Sequence, residues 1–196
     1  MILLALVFVY DYHPLAATLY SVHLSQASHH GRHTPIPERV LWSYIVQLCN
    51  AIKLVHSSNL AIRNIELTKI LVTSKNRLRI NCCAILDIIR AESTPVITSE
   101  HLRMLQQEDL FDLGKVILSL ACQSIGAIHN LQKSMEFLNT TYSSDLQQLC
   151  IYLFSKPHSR KGIDELLNTV VGSWRILEEL SASLKYVSYV ICFDYR

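Results

Sequence analysis

The chain has 196 residues, 50% hydrophobic and 17% charged, with a formal net charge of +2. This is enough for one well-buried domain and excludes a disordered tail, and the charge is too small and too evenly spread to argue for nucleic-acid binding by field alone. The 6 cysteines lack zinc spacing, and the two nearest, Cys82 and Cys83, are adjacent, so they read as buried free thiols in a reducing compartment.

The first ten residues, MILLALVFVY, are apolar. They lack the positive start and small-residue cleavage site of a signal peptide, and they are too short for a bilayer span of about 20 residues. Residues 4–10 read as a core strand, and a domain that opens on an interior strand predicts missing sequence upstream. Asp11, Tyr12, His13, Pro14, Leu15, Ala16, Ala17 and Thr18 form a connector in which Pro14 biases His13 to an extended conformation. A short helix is expected over residues 15–24, then a polar surface loop over residues 25–37. The loop's His29, His30 and His33 have no acidic or thiol neighbour and read as solvated rather than metal-binding. Pro37 then opens a long helix in its first turn, with Val40, Leu41, Tyr44, Ile45, Leu48, Ala51, Ile52 and Val55 at helical spacing and Asn59 as its C-terminal cap.

The stretch LVHSSNLAIRNIELTKIL, residues 54–71, resembles a protein-kinase catalytic loop. A working kinase has H-R-D-L-x-x-x-N there, with the Asp as catalytic base and the Asn on Mg²⁺. This chain has Ile62, Arg63, Asn64 and Ile65, with Lys69 at the closing position. Residues 70–73 and 78–81 read as a hairpin around a turn at residues 74–76. Where kinases carry D-F-G this chain has Cys82, Cys83 and Ala84, and a thiol does not replace the hard oxygen ligand that Mg²⁺ requires. Residues 85–97 stand where an activation segment would be, without A-P-E. Residues 100–122 resemble the central buried helix of the kinase lobe, and Asp109 matches the residue whose carboxylate accepts the catalytic-loop backbone in that family. Further helices are expected over residues 131–138 and 144–154, the latter capped by Ser144 and Asp145. Arg160 matches the Arg before the last kinase helix; residues 173–183 could add a helix, and residues 186–193 turn strand-like.

These strings together are similar to the pseudokinase domain of the regulatory subunit of the poly(A)-nuclease (PAN) deadenylation complex. The likeness rests on FVYDYHP, LWSYIVQL, TKILVT, NRLRINC, DLGKVILSLAC, NLQKSMEFL and YSSDLQQL, and runs from about residue 4 to about residue 167. It implies a mainly α fold: a kinase-like C-terminal lobe with a short β-hairpin and no N-terminal lobe. Residues 1–171 would be a partial pseudokinase domain, hinge strand plus lobe, and residues 172–196 the start of a coiled coil or a non-native tail. The resemblance further implies a non-catalytic adaptor acting in poly(A)-tail shortening of mRNA, cytoplasmic and found in P-bodies, with no membrane attachment. Its partners would be the catalytic exonuclease subunit and poly(A)-binding protein, with indirect association to poly(A) mRNA and, in the full-length family, a homodimer. It would bind ATP without transferring phosphate, through Asp11, Tyr12, His13, Pro14, Leu15, Ala16, Ala17, Thr18, Thr68 and Lys69. No residue is assigned as catalytic or metal-binding.

The chemistry of the residues agrees with binding rather than turnover. Lys69 could supply a fixed positive charge near phosphates, while Asn64 offers no proton-accepting carboxylate. Two other readings stand beside this one. One is a divergent active kinase, with Glu66 or Asp87 as the nearby carboxylates. The other is an interaction domain that binds no nucleotide.

Overall fold

A computed structural model describes residues 7–25, 34–73, 76–83, 85–90, 98–156 and 161–168, the side chains of residues 86, 87 and 90 excepted. Two long helices organise it. The first, α2 (Glu38–Ser57), follows a short α1 (Leu19–His23) and buries Leu41, Tyr44, Ile45, Leu48, Cys49 and Ile52, which recur at helical spacing along one face. Pro37 is its N-cap, one position earlier than expected, and the Pro37 carbonyl accepts the N–H groups of Val40 and Leu41. Ser58 is the C-cap, one position before the expected Asn59, which follows it in the left-handed conformation at φ 56.

After the loop, the hairpin and a six-residue helix α3 (Ile85–Arg90) comes the second long helix, α4 (Ser99–Ala121). Thr98 caps it, its Oγ1 accepting the His101 N–H at 3.2 Å. From Asp109 onward α4 buries Leu110, Leu113, Val116, Ile117, Leu118 and Leu120 and leaves only a stripe of Phe111, Asp112 and Lys115 partly open, as befits the axis of a helical lobe. A 3-10 turn (Ile125–Asn130), α5 (Leu131–Thr141), α6 (Ser144–Phe154) and the one-turn α7 (Ile163–Leu166) pack around it.

The α4–α6 crossing is close at Gly114. A Cβ placed there would lie 3.1 Å from Leu153 Cβ and from two ring atoms of Phe154. The cap of α6 differs from expectation: Ser143 is the N-cap and makes no capping bond of its own. Its N–H and its hydroxyl both go to the Glu38 carboxylate at the start of α2. One carboxylate therefore serves the first turns of two helices, which favour negative charge.

The sheet has three antiparallel strands in the order β1 (Ala17–Thr18), β2 (Ile70–Val72), β3 (Leu78–Ile80). β2 and β3 are the expected hairpin, with Ile70 opposite Ile80 and Val72 opposite Leu78. β1 is an addition, since a two-residue strand carries no alternation to read. The α1 helix starts at Leu19 rather than residue 15, because residues 17–18 are spent on the strand and Leu15, at φ 60, turns the chain before it. The expected strand over residues 4–10 is corrected over its described part. Residues 7–10 form no strand, and Val7 and Val9 are 76% and 89% exposed. A strand exists by pairing, and this run is not among the strands of the described sheet.

The mainly helical, kinase-like lobe with a small sheet is thus the observed architecture. The loop histidines, Arg160, and the helix, strand and coiled-coil start expected after residue 171 lie outside the described residues. No single described helix is long and apolar enough to cross a membrane.

Candidate functional site

The loop between α2 and β2 is held by one buried carboxylate. Asp109 is fully buried; its Oδ2 accepts the Ile62 N–H at 2.7 Å and its Oδ1 the Arg63 N–H at 2.7 Å. His56 Nε2 lies 2.9 Å from Oδ2. Gln106 adds a strap by donating to the carbonyls of His56 and Leu60. Asp109 thus plays the architectural role expected of it, and charge-assisted bonds of this kind are the strong ones. His56 was not singled out from the sequence; its place at the helix end, one turn before Leu60, is the only signal it carries.

Asn64 stands where phosphoryl transfer needs a proton acceptor. Its Nδ2 donates to the carbonyls of Asn81 and Cys82 at 3.3 and 3.0 Å. Asn81 Oδ1 in turn accepts the Cys82 N–H at 2.8 Å. The amide of Asn64 is thus used as a donor that ties the loop to the end of β3. Cys82 sits at φ 58, a strained position for a residue with a side chain, and these bonds hold it there. Burial, the nearby Cys82 and Asp109 push the Cys83 thiol above its ordinary range. A protonated thiol is no ligand for a hard cation. The described residues contain no group of three or more His, Cys, Asp or Glu arranged for a metal.

Thr68 and Lys69 close the loop in a tight turn. Lys69 N–H donates to the Glu66 carbonyl at 3.0 Å, the Lys69 carbonyl accepts the Asn81 N–H at 2.8 Å, and Thr68 Oγ1 donates to Glu66 Oε1 at 2.6 Å. The Lys69 ammonium has no ion pair among the described residues and is part-exposed. Its backbone is fixed while its charge is available.

The connector reaches the same sheet. Ala17 pairs with Val72 and Thr18 with Leu71, three and two residues past Lys69, and the Tyr20 N–H donates to the Leu67 carbonyl at 3.1 Å. Thr18 also caps α1 by accepting the Ser21 N–H at 3.1 Å. The His13 carbonyl accepts the Ala16 N–H across a turn at Pro14–Leu15. Asp11, Tyr12, Pro14 and Leu15 face solvent, Leu15 completely. The structure therefore brings Ala17 and Thr18 beside the Thr68–Lys69 turn and leaves residues 11–15 at its open side. No hydrogen bond links residues 11–18 to the side chain of Thr68 or Lys69. Just before the connector, the Tyr10 phenol donates to the Cys83 carbonyl at 3.1 Å, a link the sequence does not announce.

No family model matches the chain. It is similar to the PAN2-PAN3 deadenylation complex subunit PAN3 of Cryptococcus neoformans, 42% identical over 93% of this chain and 28% of that one. The PAN3 subunit of Coccidioides immitis is 44% identical over 77% of this chain and 23% of its own length, and that of Xenopus tropicalis 37% over 91% and 25%. Among solved structures, the Drosophila melanogaster PAN3 pseudokinase superposes with a TM-score of 0.79 at 30% identity, over 95% of this chain and 48% of that one. A complex of Neurospora crassa PAN2 with PAN3 gives 0.79 at 28% identity, over 94% and 44%. The chain spans about a quarter of the length of the curated relatives it matches.

Proposed function

This chain belongs to the PAN3 pseudokinase family, and from that membership we propose that it serves as a non-catalytic adaptor segment of a poly(A)-nuclease deadenylation complex. One observation carries the non-catalytic part. The side chain at the catalytic-base position, Asn64, is a donor bound to two backbone carbonyls, where phosphoryl transfer requires a carboxylate that accepts the substrate's proton. The thiols of Cys82 and Cys83 stand where the metal-holding carboxylate would be. Loss of both groups removes positioning and charge neutralisation together.

In this reading a nucleotide rests on the lobe without reacting. The connector supplies backbone groups for a base, and Lys69 supplies counter-charge for phosphates in place of a metal. The support is the convergence of Ala17 and Thr18 with the Thr68–Lys69 turn on one small sheet. The catalytic exonuclease subunit and poly(A)-binding protein are the proposed partners, with self-association and an indirect link to poly(A) mRNA in a cytoplasmic, P-body setting. Titration with a fluorescent ATP analogue tests the nucleotide role. Saturable binding that disappears in Lys69→Ala supports it, and no binding by the intact chain removes it. Phosphate transfer from ATP to a generic protein substrate, abolished by Glu66→Ala, would overturn the pseudokinase reading.

The exposure of Tyr12 and Leu15, 86% and 100%, favours a second reading in which the lobe binds proteins and no nucleotide. The same titration separates the two.

A further inference from the structure

The connector is held at its far end by a single bond. Tyr10 donates its phenolic hydrogen to the Cys83 carbonyl at 3.1 Å, across 73 positions of sequence. Among the described residues this is the only hydrogen bond that ties residues 7–15 to the rest of the protein, the His13–Ala16 turn being local. Val9 and Tyr12 are 89% and 86% exposed, so little packing holds the stretch between them. The anchor, by contrast, is fixed. Cys83 follows Cys82, whose backbone at φ 58 is fastened by Asn64 Nδ2 on its carbonyl and by Asn81 Oδ1 on its N–H. Asn81 in turn donates its N–H to the Lys69 carbonyl at 2.8 Å.

The two ends of the connector meet opposite edges of the sheet. Ala17 and Thr18 pair with β2 on one side, and Cys83 stands three residues past the end of β3 on the other. The Tyr10 side chain and residues 11–16 therefore bridge β2. Neighbouring strands lie about 4.8 Å apart, which puts β1 and β3 about 10 Å apart, within reach of one phenol and a short stretch of chain. The inner face of the sheet is filled: Ile70 is fully buried, and Val72, Leu78 and Ile80 pack against the core. The bridge thus passes outside, over the open side of the Thr68–Lys69 turn. We infer that Tyr10 is a positioning residue for the proposed nucleotide site: its phenol pins the connector to the loop and so sets the gap, between residues 11–15 and the Thr68–Lys69 turn, that a nucleoside triphosphate enters. A wall held in place before binding spares the ligand the cost of ordering it. One partly exposed neutral hydrogen bond is a weak fastening, so the wall opens readily, and its closed fraction enters the apparent affinity directly. The pin stands on the geometry alone; its use in positioning rests on the nucleotide reading.

The test compares two variants of the full chain. Tyr10→Phe removes the hydroxyl and keeps the ring. Tyr20→Phe is the control, since the Tyr20 phenol makes no hydrogen bond among the described residues. Backbone nitrogen relaxation by NMR reads the order of residues 11–13, and titration with a fluorescent ATP analogue reads affinity. Tyr10→Phe is expected to lower the order parameters of residues 11–13 toward the flexible range, below about 0.6. Those of β2 and β3 and the melting temperature should stay unchanged, because the lost bond lies at the surface. Affinity should fall about three- to tenfold. Tyr20→Phe should change neither order nor affinity. Order parameters that Tyr10→Phe leaves unchanged would overturn the pin and the positioning role together. Loosened connector residues with unchanged affinity would overturn the positioning role alone. No binding by the unsubstituted chain would overturn the nucleotide reading and the positioning role with it, a result distinct from the other two.

Discussion

Arg63 adopts a left-handed backbone, φ 57, and its N–H is taken by the buried carboxylate of Asp109 at 2.7 Å. A left-handed conformation costs an L-residue about 1–2 kcal/mol. The loop keeps it because Asp109 binds two successive N–H groups at once. Cys82, at φ 58, is held in a parallel way by Asn64 and Asn81. Polar straps thus hold the two left-handed turns of the loop in place.

Asp109→Ala should therefore be among the most damaging single changes. It leaves the N–H groups of Ile62 and Arg63 and the ring of His56 without their acceptor, at about 1–3 kcal/mol for each buried group. A loss of at least ~3 kcal/mol is expected as a lower midpoint in urea at unchanged slope. Asp109→Asn keeps the shape but turns one acceptor into a donor facing a donor, so it should fall between wild type and Ala. An Ala variant within ~1 kcal/mol of wild type would show that the loop does not rely on this carboxylate.

The sequence carried the helices well because their apolar spacing is long and regular, as in residues 40–55. Asp109 was legible for a different reason: the resemblance matches it to the residue whose carboxylate accepts the catalytic-loop backbone in kinases, whereas Glu108 and Asp112 on the same helix give spacing alone nothing to choose by. The cap of α6 was not legible, since the Glu38 carboxylate that serves Ser143 comes from 105 positions away. The apolar run at residues 7–10 was misread because hydrophobicity does not reveal whether a neighbouring strand is present. At the site, Lys69 and Thr68 could be placed by motif register. The Asn64–Asn81 strap could not, because amide side chains bonding to backbone leave no pattern in the chain.

Gly114 makes a packing prediction. Gly114→Ala gains up to about 1 kcal/mol in helix propensity. Against this, the new Cβ meets the Leu153 Cβ and the Phe154 ring at 3.1 Å, so these side chains must give by a few tenths of an ångström. Overpacking of this kind costs about 1–3 kcal/mol, so the net change should be destabilising. Gly126→Ala is the control, since its nearest neighbour, Ser124 Oγ, lies at an ordinary 3.7 Å. Thermal unfolding of the two variants should separate them, and equal melting temperatures would refute the close approach.

Asn64→Asp should not create a kinase, and it should weaken the fold at neutral pH. A carboxylate there faces the carbonyl oxygens of Asn81 and Cys82 instead of donating to them. That raises its folded-state pKa above the unfolded value of about 3.9. A group with a raised folded pKa holds its stability below the unfolded pKa and loses it as pH rises through the folded one. The variant should therefore approach wild-type stability in acid and fall about 1–3 kcal/mol behind it near pH 7. Denaturation of both proteins across this range decides it: a constant difference at all pH values would mean that Asn64 is not used as a donor.

The alkaline limb of stability draws on two buried thiols and two half-buried phenols. Burial pushes the Cys49 and Cys150 thiols and the Tyr142 and Tyr152 phenols up to about 12, against ordinary values of 9.0 and 10.0. In each case the folded pKa lies above the unfolded one, so the unfolded chain loses protons first as pH rises. Their contribution is present in full below pH 9.0 and is lost progressively toward about 12. Lys161 acts in the opposite sense: burial lowers its pKa, and rising pH removes the cost of a desolvated ammonium. One such group does not offset four, so unfolding free energy should fall between pH 8 and pH 11. Tyr142→Phe sharpens the test. It forfeits the phenol's bonds to the carbonyls of Ile36 and Ala121 and so lowers stability at pH 8 by about 1 kcal/mol. It also deletes one titrating group, so its stability should decline less steeply with pH than that of the wild type. Parallel pH profiles for the two proteins would show that Tyr142 does not titrate with unfolding.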